Sequence, residues 1–134
     1  MKKPLAILLL LACLLSVAAC SGTAGKGIIL IKEGAVKRIS VTSIPGHYDY
    51  SFEGDAVQPI VRYISELNLT ADFPEDPNEY YGMTWVISLE YEDGEALTIC
   101  HFGNLFIRTA DGPWYKMTYE EANRFGTLLD ELTK

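Results

Sequence analysis

Cysteine is scarce in this chain of 134 residues. There are three: Cys13, Cys20 and Cys100. Two fall within the first twenty residues, so the body of the chain holds Cys100 alone, which excludes an intramolecular disulfide there. Basic charge is short as well. Eleven Lys and Arg stand against eighteen Asp and Glu, a formal charge of −7. Phosphate binding needs clustered cations, so this balance excludes nucleic acid as a partner and argues against a polybasic hold on anionic lipid. Metal-ligand spacing is missing too. His47, His101 and Cys100 form no C-x-x-C or H-x-x-x-H pattern. The acids Asp72, Glu75, Asp76 and Glu79 lack the D-x-D-x-D-G spacing of a calcium loop and read as a solvated cluster. No cofactor is called for. Long apolar runs are limited to Leu5–Leu15, which is shorter than the roughly twenty residues a membrane-spanning helix needs.

What is there begins with that run. Lys2 and Lys3 precede it, and Ser16-Val17-Ala18-Ala19-Cys20-Ser21 follows it. A basic start, an apolar stretch of this length and small residues at the end describe a secretory signal. A hydrophobic residue, two small residues and a cysteine resemble the lipobox of bacterial lipoproteins. The resemblance implies cleavage between Ala19 and Cys20 and a diacylglyceryl group on the Cys20 thiol. Two or more acyl chains anchor a protein stably where one does not. The membrane, reached through acyl chains on Cys20, is then the first partner. An ordinary signal peptide cut after Ala19 and an uncleaved anchor are the alternatives. Val17-x-Ala19 fits the ordinary cleavage rule less well, and that cut would leave Cys20 a loose thiol.

On this reading residues 1–19 are a signal peptide and 20–27 are the lipidated cysteine with a short flexible spacer. Residues 28–134 are one globular domain on the extracytoplasmic side. It sits at the cell membrane, or at the outer membrane where the organism has one, a choice that Ser21 resembles. Loss of Lys2 and Lys3 leaves nine basic residues against eighteen acids, a charge of −9. A chain of 115 residues suffices for one core.

Along the domain, Ile28–Ile31 reads as a strand, Lys32-Glu33-Gly34 as a turn and Ala35–Ser43 as a second strand pairing back on the first. Ile44-Pro45-Gly46 breaks it. Tyr48, Tyr50 and Phe52 alternate with polar residues as a third strand. Asp55 with Gln58 suggests a capping box, and Val57, Ile60, Val61, Ile64 and Leu67 share one helical face running to Asn68–Thr70. A loop spans Thr70–Gly82. Met83–Tyr91 is a strand with Trp85, Ile87, Leu89 and Tyr91 on one face. Asp93-Gly94, Gly103-Asn104 and Asp111-Gly112 are hairpin turns that link it to Ala96–Phe102, Leu105–Thr109 and Trp114–Met117 as an antiparallel meander. Thr118-Tyr119-Glu120-Glu121 is a capping box opening a helix with Ala122, Phe125, Leu128, Leu129 and Leu132 on one face. Gly126 inside it suggests close packing on the sheet. The order β-β-β-α-β-β-β-β-α predicts an α+β fold of two layers, a mostly antiparallel sheet with both amphipathic helices on one face.

The lipobox, the YEDG hairpin, the DGPWYKM strand and the closing helix together resemble small uncharacterised lipoproteins of Gram-positive gut bacteria. These shared features are turns and carry no chemistry with them. Chemistry must come from side chains. Cys100 and His101 are neighbours, but adjacent strand residues face opposite ways, so a hydrolase dyad would need His47 to reach Cys100 across the fold. A lone cysteine in an apolar strand is more often a core filler. The aromatics Tyr48, Tyr50, Tyr80, Tyr81 and Trp114 are the better candidates, since exposed Tyr and Trp anchor partners or stack on sugars. The leading expectation is therefore a tethered binding module for a protein or carbohydrate at the cell surface, not an enzyme. An inhibitor or immunity protein with an acidic face, and a hydrolase using His47 or Cys100, are the alternatives.

Overall fold

The structure, a computed structural model, describes residues 25–32 and 35–134. Residues 1–19, read above as a signal peptide, Cys20, read as the lipidation site, the expected spacer through residue 24 and the expected Glu33-Gly34 turn lie outside the described residues. The fold is α+β: one antiparallel sheet of eight strands with two helices. In chain order the strands are β1 (Lys26–Gly27), β2 (Val36–Ile44), β3 (Asp49–Glu53), β4 (Leu69–Thr70), β5 (Thr84–Tyr91), β6 (Ala96–Phe102), β7 (Phe106–Thr109) and β8 (Tyr115–Lys116). Helices α1 (Val57–Ser65) and α2 (Tyr119–Leu132) follow β3 and β8. In space the strands run β1-β4-β8-β7-β6-β5-β2-β3.

The meander forms as its turns dictate. Gly103 and Asn104 both take positive φ, 59° and 56°, which is the backbone a two-residue turn of the primed type requires. Period-two alternation sets the register: Trp85, Ile87, Leu89 and Tyr91 of β5 are buried, and the residues between them are half-buried. Opposite them across the ladders stand His101, Ile99 and Leu97 of β6 and Ser43, Val41, Ile39 and Val36 of β2. These residues belong to the core together with Ile60 and Ile64 of α1 and Phe125 and Leu129 of α2, with Ser43 and His101 as its buried polar members.

Several expectations need correction. Ile28–Ile31 is not a strand, and β2 does not pair back on it. Both flanks of β2 are occupied, by β3 and β5, so no edge is open there. The first strand is instead Lys26–Gly27, at the end of the stretch read as spacer, paired with a two-residue strand, Leu69–Thr70, that the pattern does not signal. A Cβ on Gly27 would overlap the Tyr115 ring, so glycine is required where β1 passes it.

The Asp55–Gln58 box does not form. Gly54–Ala56 is a 3-10 turn that runs directly into α1, Ala56 stands at the N-cap, and no side chain caps the helix. Asp55 is inside the turn, and its carboxylate caps neither the turn nor the helix. Pro59 falls at the third helical position, where its missing N–H leaves one orphan fewer. Gly126 has open space where a Cβ would be, so it does not mark close packing.

The Thr118 box does form, in both directions. Thr118 Oγ1 accepts from the Glu121 amide at 3.2 Å, and Glu121 Oε2 accepts from the Thr118 amide at 3.1 Å. Glu121 Oε1 also accepts from the amide and side chain of Asn68, at 2.8 and 3.0 Å. This one buried carboxylate thus joins the start of α2 to the chain leaving α1. Burial alone would push its pKa up. The hydrogen bonds from Asn68 and Thr118 outweigh that and hold it below the usual carboxylate value.

Candidate functional site

The five candidate aromatics divide between two places. Tyr48 and Tyr50 stack on each other at 6.0 Å, with Tyr48 against Trp85 at 5.4 Å and Tyr50 against Phe52 at 6.1 Å. This ladder borders the core. Its position comes from the Ser43–Tyr48 turn, where the Ser43 hydroxyl accepts the amides of His47 and Tyr48 and donates to the Pro45 carbonyl. Tyr48 keeps 46% of its surface exposed, and Tyr50 is half-buried.

Tyr80 and Trp114 meet on the other sheet face. Their common centre is Phe106, fully buried, with Tyr80 edge-on at 5.0 Å, Phe73 at 5.5 Å and Trp114 at 6.4 Å. Phe102 lies 6.1 Å from Trp114. The 71–83 loop supplies Phe73 and Tyr80, so it folds across β7. Tyr81, next in line, is 97% exposed. The Arg108 guanidinium lies 4.5 Å from the Trp114 ring centre, a cation–π contact. Its Nε is buried and without a hydrogen-bond partner among the described residues. Lys116 pairs with Glu75 of the same loop, and this hydrogen bond is the largest cause holding the Glu75 carboxyl below its ordinary pKa.

The pairing register maps the rest of that face in rows. One row is Ser51–Ser40–Ser88–Thr98, a line of hydroxyls across β3, β2, β5 and β6. The next is Asp49–Thr42–Val86–Cys100–Arg108 and leads to the aromatic cluster. On the far side of the hydroxyls, Arg38 lies between Glu53 at 2.7 Å and Glu90 at 3.5 Å. Such exposed pairs contribute little to stability, but they neutralise part of the acidic surface there.

Cys100 is half-buried in this face. His101 points the opposite way into the core, 1% exposed, as strand alternation requires. His47 is exposed in its turn. Neither His47 nor Cys100 lines a described cavity. No cluster of three or more His, Cys, Asp or Glu suited to a metal is found among the described residues.

His101 has a defined protonation state. The Tyr63 hydroxyl gives its one proton to the Glu121 carbonyl at 2.9 Å. Its contact with His101 Nε2, at 3.2 Å, must then be donated by the imidazole. The proton therefore sits on Nε2, and Nδ1 is a bare, buried acceptor with no partner among the described residues. Burial pushes the imidazole down to about 4, so it is neutral at pH 7. Burial likewise raises the Tyr63 phenol above its ordinary range, with the Glu121 carboxylate adding to the effect. These groups form a buried core network that is satisfied at Nε2 and at the Tyr63 hydroxyl and is left unpaired at Nδ1 among the described residues.

A groove of about 750 Å³ lies between α1 and α2, lined by Arg62, Glu66, Glu120, Arg124 and Glu131 over Tyr63. Two cations and three carboxylates give it no preferred sign of ligand.

Sequence reasoning missed Phe73, Phe102, Phe106 and Arg108. Arg108 could have been found from the alternation of β7, which turns it outward beside Cys100. Its contact with Trp114 depends on the Asp111-Gly112 turn. Among the described residues, no helix is long and apolar enough to cross a membrane. No protein-family model, curated protein or solved structure matches this chain.

Proposed function

We propose that this chain is a lipid-anchored extracytoplasmic binding module, held at the membrane by acyl chains on Cys20. In this reading the fold is a two-layer domain, with both amphipathic helices covering the face of Ile39, Ile87 and Ile99. The other face is then left to a protein or carbohydrate partner. The observation that carries the reading is the composition of that second face. A row of hydroxyls runs beside the row that ends at Arg108, where the guanidinium stacks on Trp114 of the aromatic cluster, and Tyr81, which follows Tyr80 of that cluster in the chain, is fully exposed. Hydroxyls and a guanidinium offer directional hydrogen bonds, and the rings offer flat apolar area at low entropic cost.

The test uses the full-length lipoprotein cross-linked in intact cells, with the captured species identified in the parent and then titrated against variants. Trp114→Ala should weaken binding by about 2 kcal/mol, roughly thirtyfold. Tyr81→Ala should also weaken it. That ring is 97% exposed, so its loss cannot act through the core. Unchanged affinity in both variants would remove the partner from this face.

A further inference from the structure

Between β1 and β2 the chain alternates in burial in an unusual way. Lys26, Ile28, Leu30 and Lys32 are exposed, while Gly27 and Ile29 are buried and Ile31 is half-buried. Ile29 and Ile31 have an evident purpose, since both pack into the core. Ile28 and Leu30 have none within the domain: they are 68% and 81% exposed. They border an apolar groove of about 260 Å³ whose other walls include Val61, Ile64, Leu67 and Leu69. Two neighbouring aliphatic side chains left in water at one spot are a cost that a soluble domain ordinarily avoids.

The sequence places something beside this spot. Ile28 follows the lipobox cysteine by eight residues, a reach of about 28 Å at most when fully extended. Lipid on Cys20 therefore keeps Ile28 and Leu30 within a short distance of the bilayer surface at all times. Lys26 forms no ion pair among the described residues, and Lys32 is held by Asp93 and Glu95. Lys26 thus offers an ammonium on the Cys20 side of the two aliphatics, the order in which side chains enter an interface, with apolar groups below and an ammonium at the level of the phosphates.

We infer that Ile28 and Leu30 are a second membrane contact, inserted into the interfacial layer of the bilayer that holds Cys20. The inference rests on the lipid anchor proposed above and deepens it. The acyl chains fix the distance, and this patch fixes the orientation. The patch lies next to β1, at one end of the strand order, whereas the hydroxyl row begins on β3 at the other end. Docking by the β1 end turns the β3 end away from the lipid and leaves the hydroxyl row accessible.

The experiment reconstitutes the full, processed lipoprotein into vesicles of phosphatidylglycerol and phosphatidylcholine brominated on the acyl chains. Fluorescence is compared with that of the parent for Leu30→Trp, Ile28→Trp and, as the control on β3, Ser51→Trp. Bromine quenches only rings that reach the acyl region. The added emission of Leu30→Trp and Ile28→Trp should be mostly lost on reconstitution, and that of Ser51→Trp retained. If the protein floats with the vesicles but all three keep their emission, the second contact is refuted and the anchor stands. Failure to float with the vesicles refutes both. Seating of the protein's own acyl chains in the groove would leave Leu30→Trp unquenched, since those chains carry no bromine, and would overturn the inference. So would a concentration-dependent blue shift of Leu30→Trp emission without vesicles, which would mean that a second copy covers the patch.

Discussion

Phe125→Ala should destabilise the domain by about 3–5 kcal/mol in chemical denaturation. Phe125 is fully buried and lies where three elements meet. It stacks on Tyr63 of α1 at 5.2 Å and on His101 of β6 at 5.1 Å, and meets Trp85 of β5 edge-on at 6.0 Å. Truncation would lose the transfer energy of the ring and leave a cavity that three rigid rings cannot collapse to fill. Domains of this size are stable by only about 5–15 kcal/mol, so the variant should be unfolded in part or in full at 37 °C. Thr118→Ala, which removes one cap from the same helix, should cost only about 1 kcal/mol. Equal stability of Phe125→Ala and the parent would mean that α2 does not close the core.

The second large effect is a loss of stability in mild acid, caused by His101. The folded imidazole is held down at about 4, while an unfolded histidine takes its proton near 6.5. Between those values the unfolded chain binds a proton that the folded one refuses, so stability falls as pH falls. The full difference is about 2.5 pH units, or about 3 kcal/mol of stability present above pH 6.5 and gone below pH 4. Glu121 acts in a lower window. Its depressed folded pKa gives stability that is present above the unfolded carboxylate value and lost as pH falls through the folded one. The two contributions therefore separate. Unfolding free energies measured at pH 7 and pH 4.5 should differ by most of the histidine's share in the parent, and by far less in His101→Phe. An equal pH slope in both proteins would show that His101 is not the titrating group.

The parts of this fold legible in the sequence are those whose causes are local. Thr118 and Glu121 are three residues apart, and their reciprocal cap forms between them. Gly103 and Asn104 carry the turn geometry in their own backbone. The alternation of Trp85, Ile87, Leu89 and Tyr91 reads directly as a buried face. Local reasoning failed where a longer-range contact prevailed. Asp55 and Gln58 had the right spacing for a cap, but the chain leaves β3 through a 3-10 turn, and Asp55 became part of the turn. Ile28–Ile31 had strand composition, yet the long ladders β2–β3 and β2–β5 had already taken both flanks of its expected partner. The candidate site divided for the same reason. Nothing between Tyr50 and Tyr80 in the sequence says that they end on opposite faces. That follows from the register of six strands and from the 71–83 loop crossing β7. Strand alternation separates His101 from Cys100 in the sequence itself, but its buried partner Tyr63, 38 positions away, is not legible there.

The most direct measurement is the intact mass of the protein extracted from membranes, with fragmentation of its N-terminal peptide. A lipid-anchored module should lack residues 1–19, begin at Cys20 and carry the added mass of two or three acyl chains with their glycerol on that residue. Cys20→Ser should yield instead an unprocessed precursor. A mature chain beginning at Cys20 with no lipid, or a parent protein still bearing Met1–Ala19, would contradict the anchor and with it the membrane orientation inferred for Ile28 and Leu30.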